Sequence, residues 1–286
     1  MFESLETRNP LHPLICVSDA SRICSCDKTD FYTVIVEPGD SIPASRNRQY
    51  YDYSDGTAYF IPPGYFCKAF TCRKEDKCWK GRALFFHQSL LDNTVLEDLP
   101  NRYTFFKYRS RNEALHLSSR EMGLLQRCLN GIEWELESCI DEYTSTLIIS
   151  RLELMFNYCL RFYRSQFIIR HEQDEHILTR MDSILQKHFL QNLPAGRKQI
   201  PTISGTARLL NLSPAYLEDM LHHETGKTWI EFIRLKQLKM AGYELLRTCK
   251  SITEIARELG YPSEAYFNRI FIKLHGCTPA EYRSHC

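Results

Sequence analysis

A pattern of small, apolar and turn-forming residues occurs twice near the end of the chain. Positions ahead of a central turn match at a spacing of 49 residues, and positions behind it match at 50, so the extra residue falls in the turn. The matched pairs are Ala207 with Ala256, Leu210 with Leu259, Asn211 with Gly260, Tyr216 with Tyr266, Leu217 with Phe267, Leu221 with Phe271 and Gly226 with Gly276. One helical hairpin with a glycine turn is common in any α-protein, whereas this agreement in order and spacing indicates a duplicated structural unit.

Each copy carries the start and stop signals of two helices joined by a tight turn. Asn211 and Gly260 stand where the chain leaves a helix with positive φ, a conformation that Asn and Gly adopt readily. Ser213 and Ser263 are suited to cap the helix that follows, and a glycine closes that helix in both copies. This order predicts two helix-turn-helix units, in each of which the second helix lies in the major groove of DNA.

A single long helix is predicted between the two units, from Trp229 to Arg247, because its apolar residues recur on one side. A helix of about 19 residues is roughly 28 Å long. Successive turns of a DNA duplex are roughly 34 Å apart. The two second helices are therefore predicted to enter successive major grooves on one face of a duplex.

Residues 177–286 resemble the DNA-binding domain of the AraC/XylS family of transcription regulators. The segments that carry the resemblance are LSPAYL at 212–217, ITEIARELGY at 252–261, YFNRIF at 266–271 and GCTPAEYR at 276–283. The resemblance implies sequence-specific binding to double-stranded DNA, contact with RNA polymerase at a promoter, and no enzymatic activity. It also implies that the residues ahead of this domain sense a small-molecule effector, whose identity the sequence does not reveal.

The first part of the chain has the texture of a β-rich domain. Short aromatic and β-branched runs at 31–36, 58–61 and 82–87 are separated by turns with Pro and Gly, as is typical of a small barrel or sandwich. With RFYRSQF at 161–167, this part resembles the cupin-like sensing domain of many such regulators. The predicted fold class is α+β: a cupin-like β-barrel with a helical segment, followed by an all-α double helix-turn-helix domain.

Changes in texture divide the chain into four segments, and its length suffices for two domains. Residues 1–112 are the predicted sensing domain, and residues 113–170 are a predicted helical pair. The polar residues 171–176 are the predicted hinge. Residues 177–286 are the predicted DNA-binding domain.

Charge is divided unequally along the chain, although the net charge is only +1. Residues 176–286 hold 15 Lys and Arg against 10 Asp and Glu, while residues 1–175 hold 21 against 25. A basic C-terminal part suits a DNA reader joined to a sensing domain. No apolar run approaches the roughly 20 residues that span a bilayer, and the N-terminus lacks an apolar signal region. A cytoplasmic protein without a membrane partner is therefore expected.

The helical pair at 113–170 has more apolar residues than one buried stripe requires. They lie on several sides of its second predicted helix, at 141–162. The residues in question are Ile148, Ile149, Leu152, Met155 and Phe156. Two interpretations stay open: burial against a second subunit, which makes the protein a homodimer, and burial against the β-rich domain.

Candidate base contacts follow from the resemblance and from helical spacing. The second recognition helix, at about 263–274, presents Arg269, which can pair with guanine, and Asn268, which can read adenine. The first, at 214–225, carries carboxylates that can accept from cytosine but repel phosphates. The further base-contact candidates are Glu264, Ala265, Ala215, Tyr216, Glu218 and Asp219.

Contacts to the DNA backbone are expected from cations and from the amino ends of helices, which attract anions. The candidates are Lys273, Thr202, Thr253, His222, Lys236 and Lys239. In the β-rich domain, inward aromatic residues are candidates for an effector pocket, with core packing as the alternative role of each. These are Tyr32, Tyr59, Phe60 and Phe85.

Twelve cysteines raise an alternative sensing chemistry. Cys67, Cys72 and Cys78 are flanked by Lys and Arg, which can lower the pKa of thiols, and so permit a thiol- or metal-sensing regulator. Their spacing lacks the Cys-x-x-Cys pairs of structural zinc sites, so neither a metal nor a cofactor is predicted. A cupin-type enzyme and a protein-docking module are further alternatives, although His87 lacks the second histidine that a cupin iron site needs.

Overall fold

The computed structural model describes residues 12–20, 30–39, 52–65, 80–191 and 200–284. Two compact units divide the chain, Met1–His171 and Glu172–Cys286. The first unit contains an antiparallel sheet and helices, and the second contains helices. Within the described ranges, no helix is long and apolar enough to cross a membrane.

A five-stranded antiparallel sheet lies in the first unit, with the strand order β1-β4-β2-β3-β5. Its strands are β1 (Ile15–Asp19), β2 (Phe31–Pro38), β3 (Gly56–Ile61), β4 (Arg82–His87) and β5 (Leu115–Leu117). The three strands expected from aromatic and β-branched runs are confirmed as β2, β3 and β4. Among the described residues β1 and β5 are edge strands, so the sheet is open there, and its closure into a cupin-like barrel stays a prediction.

Helices follow the sheet in the first unit. They are α1 (Leu99–Arg102), α2 (Ser119–Glu137) and α3 (Thr144–Ile169), with 3-10 turns at Gln88–Leu90, Thr104–Lys107 and Arg111–Glu113. The helical pair is present as α2 and α3, but the segment predicted as purely helical also contains β5. A three-residue strand is too short to show a spacing pattern in sequence, and β5 is defined instead by its pairing with β3.

The apolar residues on several sides of α3 are buried within this one chain. Ile148, Leu152, Met155 and Phe156 are 0% exposed, and Ile149 is 7% exposed. A helix that packs in the interior needs apolar residues around most of its circumference. These five residues therefore fit the second interpretation, burial within the first unit, and they no longer argue for a second subunit.

The four effector-pocket candidates lie on opposite faces of the sheet. Successive side chains of a strand point to opposite faces, and the strand register places Tyr32 and Phe60 on one face and Tyr59 and Phe85 on the other. All four are buried. The four side chains therefore do not face one common interior. An effector-pocket role stays a prediction for each, with core packing as the alternative.

Tyr32 and Phe60 belong to an aromatic layer that packs the sheet against α3. Both rings contact Phe106, with ring centroids 5.4 Å apart in each case. The ring of Phe106 in turn contacts Phe156 of α3, also at 5.4 Å. Edge-on contacts of this kind are favourable between aromatic rings, so Tyr32 and Phe60 are core residues. Tyr59 and Phe85 pack in a separate apolar cluster on the other face.

Arg170, directly after α3, fastens the end of this helix to the rest of the first unit. Its guanidinium donates two hydrogen bonds to the Asp52 carboxylate, at 2.8 and 2.7 Å. It donates a third to the Asn112 carbonyl oxygen at 3.0 Å. Both charged side chains are buried. Their bidentate hydrogen bonding is the stronger form of a carboxylate–guanidinium ion pair.

Helices from His171 onward build the rest of the chain. They are α4 (His171–Gln191), α5 (Ile203–Leu210), α6 (Pro214–Thr225), α7 (Trp229–Arg247), α8 (Ile252–Glu258), α9 (Glu264–His275) and α10 (Pro279–Ser284). The bounds predicted for α6 and α7 are confirmed. The predicted hinge, residues 171–176, lies inside α4, which starts six residues before the expected Ile177. Glu172 and Asp174 in its first turn favour a helix because they face the positive end of the helix dipole.

Candidate nucleic-acid interface

The two turns of the repeat close with the same backbone hydrogen bond. In the first copy the Leu212 amide donates to the Ala207 carbonyl oxygen, and in the second the Tyr261 amide donates to the Ala256 carbonyl oxygen. Both bonds are 2.9 Å long. This bond from beyond a helix end to its last turn is the Schellman motif, which ends a helix and redirects the chain.

The residues at the turn and at the following cap adopt the predicted geometry. Asn211 and Gly260 have left-handed backbone, with φ of 59° and 83°. The side chain of Ser213 accepts from a backbone amide in the first turn of α6 at 3.3 Å, and that of Ser263 does so for α9 at 3.2 Å. The predicted helix–turn–helix order is thereby confirmed in both copies, as α5–α6 and α8–α9.

Helix α7 packs against both helix-turn-helix units. Its residues Ala241 and Leu245 pack in one apolar cluster with side chains of α8 and α9. At its amino end, Trp229 Nε1 donates to the Pro201 carbonyl oxygen, ahead of α5, at 3.2 Å. Gln237 is buried in the middle of α7, and its Nε2 donates to the Leu259 carbonyl oxygen at the end of α8, at 2.7 Å.

Helix α9 has one buried side and one exposed side. Phe267 and Phe271 are 0% exposed and belong to the apolar cluster on α7. Ala265, Arg269 and Lys273 are exposed. Since these three lie four residues apart in succession, they follow one another along the same side of the helix. This side of α9 can enter a groove without disturbing the core.

Tyr266 and Asn268, which are both half-buried, border the exposed side of α9. The Arg269 guanidinium lies over the ring of Tyr266, 5.2 Å from its centroid, which limits the freedom of a long side chain. Asn268 is half-buried, and its Oδ1 lies inside the unit without a hydrogen-bond partner among the described residues. Its amide group is thus close to both the protein interior and the surface.

Glu264 and Thr253 contact each other at the amino ends of α9 and α8. The Thr253 hydroxyl donates a hydrogen bond to Glu264 Oε2. Thr253 is exposed and Glu264 is half-buried. Glu264, a base-contact candidate, and Thr253, a backbone-contact candidate, are therefore joined by a hydrogen bond. Their spacing in the sequence did not reveal this contact.

Helix α6 exposes a mixed surface with two carboxylates. Glu218 and His222 are exposed, and Ala215 and Asp219 are half-buried. Tyr216, by contrast, is 3% exposed. A side chain inside the core has no surface to offer a base, so the prediction of a base contact by Tyr216 is wrong.

The remaining candidates for contacts with the DNA backbone differ in the contacts that they make within the protein. Thr202 is exposed, and its Oγ1 accepts from the Gly205 amide at 3.2 Å, which leaves the hydroxyl proton able to donate. Lys239 is exposed. Lys236 forms an ion pair with Asp182 of α4.

Among the exposed arginines that the sequence pattern did not single out, several lie on helices of the helix-turn-helix units or on the helix between them. They include Arg208 on α5, Arg234 on α7 and Arg257 on α8. Each of these three lies on the polar side of a helix whose other side is buried, and helical spacing alone identifies that side. Spacing does not tell whether such a side faces a ligand or solvent.

The cysteines named for thiol or metal sensing, Cys67, Cys72 and Cys78, lie outside the described residues. In the part of the chain that the structure describes, no group of three His, Cys, Asp or Glu side chains is placed to hold a metal ion. Burial raises the pKa of the Cys128 and Cys159 thiols in α2 and α3. A raised thiol pKa lowers the thiolate fraction, so these two behave as packing residues.

Comparison with known proteins places the similarity in the C-terminal part. A helix-turn-helix domain family matches residues 206–285. Regulatory protein SoxS of Salmonella typhimurium is 37% identical over 81 residues, which cover 28% of this chain and 76% of that protein. The Xylose operon regulatory protein of Escherichia coli is 31% identical over 116 residues, which cover 41% of this chain and 29% of that protein.

Among solved structures, the C-terminal domain of AraT, a response regulator from Geobacillus stearothermophilus, is 33% identical. The match covers 38% of this chain and 85% of that chain, with a TM-score of 0.31. Because the chain spans 29% of the xylose regulator, the similarity to that protein concerns one domain and not its full length.

Proposed function

Because the chain belongs to the AraC/XylS family of transcription regulators, we propose that it binds specific sequences of double-stranded DNA and regulates transcription from them. The observation that carries this proposal is the repeated helix-turn-helix geometry, with the same closing hydrogen bond in both turns. In such units the second helix reads the major groove, which here assigns the reading to α6 and α9.

Base reading by α9 centres on Arg269. Its exposed guanidinium can donate two hydrogen bonds to the O6 and N7 atoms of guanine, the commonest specific contact in the major groove. Ala265, one turn earlier, offers a methyl group to the methyl of thymine. Asn268 and Glu264, at the border of the same side, complete the proposed reading surface of α9.

Base reading by α6 takes a different chemistry. Ala215, Glu218 and Asp219 are its accessible candidates for base contacts, and two of them are carboxylates. Carboxylates accept hydrogen bonds from cytosine but repel phosphates. Helix α6 therefore contributes selectivity more than affinity in this proposal, while α9 contributes both.

Phosphate contacts come from exposed cations and helix amino ends. Lys273 and Lys239 have exposed ammonium groups, and Thr202 has a hydroxyl at the amino end of α5. Lys236 is already paired with Asp182, and this ion pair weakens its attraction for a phosphate. Phosphate contacts position a protein on DNA without reading its sequence.

The first unit is the proposed sensing and dimerisation part. Residues 1–112 would form the cupin-like domain that responds to an effector, and 113–170 the dimerisation helices. Leu147 and Leu154 of α3 support a dimer because they are 44% and 50% exposed and lie seven residues apart. Residues 177–286 would bind DNA and contact RNA polymerase. Thiol sensing by Cys67, Cys72 and Cys78 remains the alternative to a small effector.

Selection from a library of random duplexes by the purified full-length chain tests the proposal. A DNA-binding regulator enriches one recurrent sequence, and the enriched duplex binds more tightly than an unselected duplex. Arg120→Ala, which removes an exposed charge from the first unit, is expected to enrich the same sequence. No enrichment, together with no binding at low salt, contradicts the proposed function.

A further inference from the structure

The hydrogen bond between Thr253 and Glu264 belongs to the second helix-turn-helix unit alone. By the spacing of the repeat, Thr253 corresponds to Ser204, and Glu264 corresponds to Pro214. Proline has no carboxylate, so the first helix-turn-helix unit, α5–α6, has no equivalent hydrogen bond. This hydrogen bond is therefore one of the features that distinguish the second helix-turn-helix unit from the first.

We propose that Thr253 is a positioning residue for Glu264, and that Glu264, held in this way, selects cytosine at one position of the bound DNA. The proposal rests on the proposed function, because it concerns how α9 reads a base. It adds a base identity and a second residue, on a different helix, that determines it.

The position of Glu264 suits a contact at the entrance of the groove. It is the first residue of α9, after the capping residue Ser263. A carboxylate in the first turn is stabilised by the positive end of the helix dipole, which offsets part of its repulsion by phosphates. Ala265, Asn268 and Arg269 continue the same surface along the helix.

The two carboxylate oxygens of Glu264 have different surroundings. Oε2 accepts from the Thr253 hydroxyl. Oε1 accepts no hydrogen bond from any of the described residues. The hydroxyl thus holds one oxygen and leaves the other as an acceptor, and a glutamate fixed in advance loses less side-chain entropy on binding than a mobile one.

A fixed acceptor discriminates among bases by what each presents in the major groove. Cytosine presents an amino donor at N4, and guanine and thymine present acceptors that repel a carboxylate. Adenine presents an amino donor at N6, but its N7 acceptor lies alongside. A single carboxylate oxygen therefore matches cytosine best.

A contact of Thr253 with phosphate is the competing role, and it has a different signature. Loss of a phosphate contact weakens binding to every sequence and lowers the salt dependence. Loss of a positioning bond leaves binding to unselected DNA unchanged and alters the preference at a single base position. The two roles are separated by measuring affinity for all four bases at that position.

The experiment uses the full-length chain and starts from the duplex that it selects from a random library. Glu264→Ala first identifies the position at which base preference is lost. Four duplexes that differ only there are then titrated with the wild type, Thr253→Val, Thr253→Ser and Glu264→Gln. Thr253→Val removes the hydroxyl and keeps the shape, while Thr253→Ser keeps the hydroxyl. Thermal unfolding of each variant shows whether the fold is intact.

The expected result is a wild-type preference for cytosine of about tenfold, which Thr253→Val and Glu264→Gln reduce severalfold and Thr253→Ser retains. Equal weakening on all four duplexes by Thr253→Val overturns the proposal in favour of a phosphate contact. An unchanged preference in Thr253→Val, or a selected base other than cytosine, also overturns it. Failure of the wild type to select any sequence is a different outcome, which overturns the proposed function itself.

Discussion

Arg269 and Lys273 lie one helical turn apart on the exposed side of α9, yet we expect different contacts with DNA. Arg269→Ala should weaken binding to the selected duplex by about 1–3 kcal/mol, because it removes a paired contact with guanine. Binding to unselected DNA should fall much less. Titration of both duplexes gives the affinity ratio, and Arg120→Ala is the matched control. An unchanged ratio would remove Arg269 from the base contacts.

Lys273→Ala should act on all sequences alike, because an ammonium group facing phosphate carries no base preference. Affinity should fall by similar factors on selected and unselected duplexes. The slope of log affinity against log salt should become shallower by about one counterion. Titrations over a range of salt concentrations measure both quantities, and an altered affinity ratio would show that Lys273 reads a base instead.

The limits of sequence prediction are clearest where single side chains are concerned. Tyr216 and Tyr266 occupy matched positions of the repeat, but Tyr216 is buried and Tyr266 is half-buried. Helical spacing assigns both to the edge of the apolar side, and only the packing of neighbouring helices decides how deeply each is buried. The bond between Thr253 and Glu264 was equally beyond reach, because it joins two helices across a turn.

At the scale of elements, substitution of a turn residue tests whether its positive φ determines the stability of a helix-turn-helix unit. Gly260 has a φ of 83°, so Gly260→Ala should lower the free energy of unfolding by roughly 1 kcal/mol. Gly260→Asn should cost less, because Asn tolerates this backbone and stands at the matched position as Asn211, with a φ of 59°. Denaturant unfolding measures both. Equal losses for Ala and Asn would show that the added Cβ, and not φ, is responsible.

Acid should weaken the amino end of α8 through its capping box. Hydrogen bonds donated by the Ser251 amide and hydroxyl hold the pKa of Glu254 below its ordinary value of about 4.5. Because the pKa is lowered on folding, this stabilisation is present above about pH 4.5 and is lost as the pH falls through the lowered pKa.

Glu254→Gln, which cannot ionise, tests this pH dependence. The difference in free energy of unfolding between wild type and variant should shrink as the pH falls below about 4.5. Urea unfolding at a series of pH values measures it. A difference that stays constant with pH would mean that the charge of Glu254 contributes nothing to the cap.

Element boundaries were predictable wherever local chemistry determines them. Helix α6 begins after a serine cap at Pro214 and ends before Gly226, and these signals stand in the sequence itself. Strand β5 was missed because it exists through pairing with β3. The early start of α4 was missed because its polar first residues were interpreted as a hinge. Glu172 and Asp174 among them lie in the first turn, where the helix dipole stabilises acidic side chains.

At the scale of the whole molecule, the proposed dimer makes a prediction for α3. The full-length chain should sediment as a dimer at micromolar concentration, and Leu147→Lys with Leu154→Lys should convert it to a monomer. Both leucines are exposed on one side of the helix. Val95→Lys, at an apolar residue that is 60% exposed outside α2 and α3, is the control. A wild-type monomer at that concentration would remove the dimer.

The C-terminal part of the fold was predictable because the turn, capping and helix-closing residues occur in both copies of the repeat. The first unit was predictable only as strands followed by helices. The separation of Tyr32 and Phe60 from Tyr59 and Phe85 follows from strand register, which no single strand reveals. The apolar residues of α3 were ambiguous for a similar reason, since sequence shows that a surface is apolar but not what covers it.

Reading of DNA by two helices at once is tested most directly by footprinting the full-length chain on the duplex that it selects. Two protected stretches of major groove should appear on one face of the DNA, about one helical turn or roughly 34 Å apart. Arg269→Ala should weaken protection at one stretch before the other. Protection confined to a single stretch, or two stretches on opposite faces of the duplex, would contradict the account.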